Sequence, residues 1–243
     1  MSVADFLASA DASALLLAAP ALGVGARILA AAEATRAVCG QHPNLGILLL
    51  CAPLLTAAQQ GGDLRAALRG VLAGLDRDDA VHAFRAIRLA APGGLGRSAR
   101  HDVAAPPEVS LLEAMRAAAA RDRIARQYIT GFADVFAIGV ERLVQLRAAD
   151  WVDDWAITGV FLAFLAAFPD THVARKHGAL VAAEVRRVAS GLDLRLRTAA
   201  QPGALYADLL EWDGALKRRG INPGTAADLT VASYLAAALL RGR

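Results

Sequence analysis

Apolar residues return every third or fourth position along most of this chain. Leu64, Leu68, Leu72 and Leu75; Phe132, Phe136, Gly139, Leu143 and Leu146; Val181, Val185, Val188 and Leu192; and Leu205, Leu209, Trp212 and Leu216 each fall on one side of a helix. That period does not fit the two-residue alternation of a half-buried strand. Alanine and leucine, 58 and 36 of the 243 residues, lose little side-chain freedom in a helix, whereas the strand-favouring β-branched and aromatic residues are scarcer. The expected fold is all-α: a single-domain bundle of about ten helices over residues 1–243, with a polar cleft formed by the interhelical loops.

A hydrophobic share of 56% against 20% charged residues excludes disorder, because enough apolar surface can be buried to offset the lost chain entropy. Residues 46–58 and 155–168 lack a polar face and are expected as central helices. Both are shorter than the roughly 20 residues that cross a bilayer, so no membrane association is expected. The start Met-Ser-Val-Ala-Asp has no basic run before an apolar stretch, and Cys39 and Cys51 make no disulfide framework, which together point to the cytoplasm. Net charge is +3 and the pI about 9.2. The basic residues spread over helix faces without interleaved aromatics, against a nucleic-acid partner. An exposed alanine-rich face would suit a homodimer contact.

Helix starts and breaks are legible. Ser110 with Glu113, and Thr225 with Asp228, have the spacing of a capping box. Breaks are expected at residues 20–25, 40–43, 61–63, 91–109, 169–178, 191–203 and 220–224. In such a bundle the loops carry the chemistry, and four stand out. Gly40-Gln41-His42-Pro43-Asn44-Leu45-Gly46 leads into an apolar helix. Ala91-Pro92-Gly93-Gly94-Leu95-Gly96 runs on through Arg97 and Arg100 to His101-Asp102. Pro169-Asp170-Thr171-His172 precedes Arg175-Lys176-His177-Gly178. Asn222-Pro223-Gly224-Thr225 opens the last helix.

Glycines let backbone N–H groups approach a ligand and a helix start adds partial positive charge, so the glycine loop and the turn at Asn222 are candidate phosphate seats, with plain turns and caps as the alternative. No Gly-Lys-Ser/Thr follows the glycines, and Gly23-Val24-Gly25 fails the dinucleotide pattern because Ile28 stands where the last glycine belongs. Neither cysteine has zinc-ligand spacing. Asp170, His172, Arg175, Lys176 and His177 put carboxylate, imidazole and cations within nine residues of an apolar helix, a density that suits a site as well as a solvated loop. Arg121-Asp122 and the stretch from Tyr128 through Gly131 to Asp134 read equally as helix ion pairs and a capped turn.

Taken in order, His42-Pro43-Asn44-Leu45-Gly46, Pro92-Gly93-Gly94-Leu95-Gly96, Arg121-Asp122, Pro169-Asp170-Thr171-His172 and Asn222-Pro223-Gly224-Thr225-Ala226-Ala227-Asp228-Leu229 resemble the motifs of the triphosphoribosyl-dephospho-CoA synthase family, especially its shorter branch. The resemblance runs from about Asp5-Phe6-Leu7-Ala8-Ser9-Ala10 to the C-terminus. It lacks the Lys-Pro-Gly loop that family members carry before that segment, and Leu45 stands where longer relatives have a lysine.

The resemblance implies an all-helical enzyme in which ATP, as substrate, donates a triphosphoribosyl group to the ribose 2′-hydroxyl of 3′-dephospho-CoA and adenine leaves. Mg²⁺ is implied as the companion of the triphosphate. Asp170, Asp122 and His172 are the catalytic candidates. The nucleotide-binding candidates are His42, Asn44, Gly46, Arg88, Gly93, Gly94, Gly96, Arg121, Tyr128, Thr171, Arg175, Lys176, His177, Asn222, Gly224, Thr225 and Asp228, and the Mg²⁺ candidates Asp102 and Asp170. A carboxylate would stabilise the oxocarbenium-like state and a base would remove the hydroxyl proton. The loops around His42, Gly94, Asp170 and Asn222 are expected to meet. Two other readings are a related transferase acting on a pterin or furan one-carbon carrier intermediate, and a non-catalytic nucleotide-binding paralogue.

Overall fold

The computed structural model describes residues 2–41, 43–91 and 100–242. By its contacts the chain divides into two compact units, one running to Phe132 and one over Ala133–Arg241. Among the described residues there is no strand.

The first unit holds α1 (Val3–Leu17), α2 (Val24–Cys39), α3 (Leu45–Gln59), α4 (Leu64–Ala73), α5 (Arg77–Ala90), α6 (Leu111–Ala118) and α7 (Arg123–Thr130). At its centre lies α3, the helix without a polar face, with Leu48, Leu50, Ala52, Leu54 and Ala57 fully buried among α1, α2, α4, α5 and α7. Pro53 sits inside α3 and has no N–H for the carbonyl of Leu49. The buried Tyr128 hydroxyl of α7 donates to that carbonyl at 2.6 Å, so the proline defect is repaired from another helix. α2 and α5 approach closely at Gly25, where a Cβ would lie 2.5 Å from the Asp79 backbone. The Asp79 carboxylate accepts the Gly25 N–H at 2.7 Å. Buried Arg27 donates to the Leu17 and Leu22 carbonyls and to Gln59 Oε1, tying the end of α1 to α3.

The second unit holds a π-turn over Val135–Val140, α8 (Glu141–Ala148), α9 (Asp153–Ala167), α10 (Thr171–His177), α11 (Ala179–Thr198), a 3₁₀ turn over Pro202–Leu205, α12 (Tyr206–Arg218) and α13 (Gly224–Arg241). Here α9 is the apolar centre, packed against α8, α11, α13 and the π-turn. Gly139 of the π-turn meets α13 so closely that a Cβ would fall 1.9 Å from Ser233 Oγ. Leu162, Leu192, Leu196 and Leu205 form a second cluster, faced by Trp151, Trp155 and Trp212.

The helical expectation holds, divided more finely: thirteen α-helices among the described residues rather than about ten. The break expected at 169–178 contains α10, because the Asp170 side chain caps the N–H of Val173 and starts a short helix. The break expected at 191 is absent. α11 continues to Thr198 because Leu192 and Leu196 prolong the stripe of Val185 and Ala189, and Gly191 faces open space. The capping box at Ser110 and Glu113 forms. Thr225 is not the cap of α13, which starts one residue earlier.

No single helix among the described residues is long and apolar enough to cross a membrane. α3 with α4 and α9 with α10 reach that length only as pairs, bent by 115° and 59°.

Candidate active site

Two of the four polar loops meet in the second unit. Asp170, 1% exposed, sends Oδ1 to the N–H of Val173 and Oδ2 to the N–H of Ala226, both at 2.9 Å. One carboxylate therefore satisfies unpaired N–H groups at the starts of both α10 and α13, the second of them 56 residues from Asp170 itself. Burial holds this carboxyl above the usual carboxylate range, opposed only in part by the N–H groups of Val173, Ala226 and His172 and the charge of Arg175. Thr171 and Thr225 share a hydroxyl hydrogen bond at 3.0 Å, and Thr225 Oγ1 also accepts the His172 N–H at 3.1 Å. The hydroxyl that sequence spacing assigned to a local cap is thus turned to α10.

His172 lies against Gly224, where a Cβ would stand 3.3 Å from Nδ1 and 3.4 Å from Cγ. Arg175 Nη2 is 3.3 Å from Nδ1, and Nε2 is buried without a partner. Burial, then the charges of Arg175, Lys176 and His177, lowers the imidazole to about 4. Lys176 and His177 are exposed in the last turn of α10, where cations suit the helix dipole. Asn222 is exposed and its carbonyl accepts the Gly224 N–H at 2.8 Å; Asp228 is half-buried one turn into α13.

Within the first unit, Asn44 is the N-cap residue of α3, 3% exposed. Its Nδ2 donates to Thr35 Oγ1 at 3.2 Å and its Oδ1 is buried without a partner. Gly46 is in the first turn of α3. Arg88 donates to the Val103 carbonyl at 2.6 Å and lines an open groove of about 340 Å³ with Leu29, Glu33, Arg85 and Leu89. Arg85 pairs with Glu33 at 3.4 Å. Asp102 Oδ1 accepts the Ala104 N–H at 2.9 Å. Asp122 caps α7, its Oδ1 accepting from Ile124 and Ala125 at 2.9 and 3.0 Å. Arg121 donates to the Ala117 carbonyl, and Tyr128 is in the core, where burial and nearby Asp79 and Cys51 push its phenol far up.

His42, Gly93, Gly94 and Gly96 lie outside the described residues. Sequence reasoning missed Thr35, Glu33 and Arg85. Each is an ordinary residue in mid-helix, and only packing gives it a polar neighbour. Among the described residues no three His, Cys, Asp or Glu side chains gather as a metal-holding group.

The sequence matches the ATP:dephospho-CoA triphosphoribosyl transferase family over residues 1–243. Among solved structures it is similar to a protein from Archaeoglobus fulgidus assigned as a triphosphoribosyl-dephospho-CoA synthase, at 26% identity and a TM-score of 0.77, covering 98% of each chain. No curated protein matches the chain.

Proposed function

The chain belongs to the ATP:dephospho-CoA triphosphoribosyl transferase family, and from that premise we propose that it moves the triphosphoribosyl group of ATP onto 3′-dephospho-CoA in the making of a prosthetic group. The acceptor's ribose 2′-hydroxyl oxygen attacks the anomeric carbon of ATP. The carbon–nitrogen bond to adenine breaks with its electron pair on the base. Adenine then takes up a proton, and the hydroxyl proton passes to a base. The triphosphate stays intact on the transferred ribose.

The observation that carries this reading onto particular residues is the joining of the Pro169–His172 motif to the Asn222–Thr225 motif through Asp170, Thr171 and Thr225. Asp170 holds the two helix starts in register. Its oxygens accept two backbone N–H groups in a buried position, which supports a role in holding the helix starts rather than one as an exposed base. Arg175, by its planar fork, and exposed Lys176, as a point charge, bind phosphate oxygens. Asp170 is buried, and among the described residues no three ligand side chains gather as a resident metal site. Mg²⁺ reaches this protein on the triphosphate.

Purified protein incubated with ATP, Mg²⁺ and 3′-dephospho-CoA tests the reading by chromatography and mass spectrometry. Free adenine should appear together with a product whose mass is that of ATP plus dephospho-CoA less adenine. ATP recovered unchanged, or hydrolysed to ADP without adenine, would overturn it.

A further inference from the structure

The imidazole of His172 carries a constraint that its place in a polar loop does not require. Arg175 follows it by three residues on the same face of α10, and the guanidinium at 3.3 Å from Nδ1 has donors only. Nδ1 must therefore offer its lone pair, which leaves the ring proton on Nε2. That Nε2–H is buried and has no acceptor. The residue is also held: its backbone N–H is bound by Thr225 Oγ1, and a Cβ at Gly224 would stand in tight contact with Nδ1 and Cγ, at 3.3 and 3.4 Å. An unmet donor on a free surface side chain would mean little, but here the surrounding structure keeps it in place.

We infer that His172 is a hydrogen-bond donor, through Nε2–H, to a phosphate oxygen of the bound nucleotide, and that it moves no proton in the reaction. This rests on reading the chain as an ATP-using transferase. The one lone pair of the ring is turned to Arg175, so it is not available to take the proton of an attacking hydroxyl. The acceptor that completes Nε2–H is anionic, because the adjacent charged side chains on α10, Arg175 and Lys176, are cations. A neutral donor beside a guanidinium fits phosphate without adding a further charge to be desolvated.

Two substitutions separate the two nitrogens. In His172→Gln the side-chain amide stands where Nε2 stood and restores a donor there, while the contact to Arg175 is lost. In His172→Asn the amide oxygen stands where Nδ1 stood, so Arg175 is held and the donor is missing. Binding of inorganic tripolyphosphate and of ATP is measured by calorimetry for the three proteins, with melting curves to establish that each is folded. Adenine release from ATP and dephospho-CoA is followed in parallel. Long-range ¹H–¹⁵N spectra of histidine-labelled protein report the tautomer.

The expected result is the Nε2–H tautomer in the wild type, tripolyphosphate binding weakened roughly tenfold in His172→Asn, and a change of no more than about threefold in His172→Gln. The inference is overturned by an Nδ1–H tautomer, by no tripolyphosphate binding in the wild type, by equal binding in all three, or by equal loss in both variants. Loss in His172→Gln with retention in His172→Asn also overturns it, since holding Arg175 would then be the whole role. Adenine release by the wild type alongside any of these leaves the transferase reading standing. His172-dependent tripolyphosphate binding without adenine release sinks the transferase reading and leaves this inference intact.

Discussion

At the start of α10, the two oxygens of Asp170 face the backbone donors of Val173 and Ala226 in a buried position. Replacing it by Asn keeps one acceptor but turns an NH₂ group against the other N–H. Asp170→Asn is therefore expected to destabilise by roughly 1–3 kcal/mol, seen as a melting temperature lower by about 2–4 °C for each kcal/mol. An unchanged melting temperature with lost activity would instead make Asp170 part of the chemistry. For His172 the sign follows from its lowered value of about 4. Folding favours the neutral ring, so its contribution is fully present above the unfolded value near 6.5 and is lost as pH falls through the folded one. Stability measured by urea unfolding should decline between pH 6.5 and 4 more steeply in the wild type than in His172→Gln. Equal slopes would show that the ring titrates alike in both states.

Between elements, the pairing of Pro53 with Tyr128 is open to a double-mutant cycle. Tyr128→Phe leaves the Leu49 carbonyl buried and unpaired and should cost about 1–3 kcal/mol. Pro53→Ala supplies the missing N–H, so the tyrosine substitution should cost less in that background, giving a coupling energy of about 0.5 kcal/mol or more. Additive costs in chemical denaturation would mean that Tyr128 is held by packing alone. The apolar patterns of α3 and α9 announced their central places, because a helix without a polar face has nowhere else to go. α10 was not legible as a helix: seven residues with one buried side chain, Val173, show no apolar stripe, and Asp170 and its cap start it. The continuation of α11 through Gly191 was hidden for the opposite reason, since glycine reads as a break unless the flanking residues are seen packed.

For the molecule as a whole, the absence of a three-ligand cluster among the described residues sets an expectation for the metal. Titrating Mg²⁺ into nucleotide-free protein should give no saturable heat below the millimolar range, and binding should appear when ATP is added. Micromolar Mg²⁺ binding without nucleotide would place a resident site that these carboxylates do not account for. Mean hydropathy is +0.40, yet each of the two units draws its apolar residues into its own helix core, around α3 in one and α9 in the other.

Helix periodicity is a local property, written within a few residues of each position, and so the all-α fold, the two apolar central helices and the capping box at Ser110 were determined by sequence alone. The motif residues Asp170, Thr171, His172, Gly224 and Thr225 were likewise legible as polar groups in an apolar chain. Their pairing was not. Spacing suggested that Thr225 caps its own helix, and the family resemblance made Asp170 a catalytic and Mg²⁺ candidate, but packing of α10 against α13 turns the threonine to Thr171 and His172 and sets both oxygens of the aspartate on backbone N–H groups. Hydrogen bonds across more than 50 residues depend on where two helix starts come to rest, and only the tertiary structure decides that, because no local repeat in the chain records it.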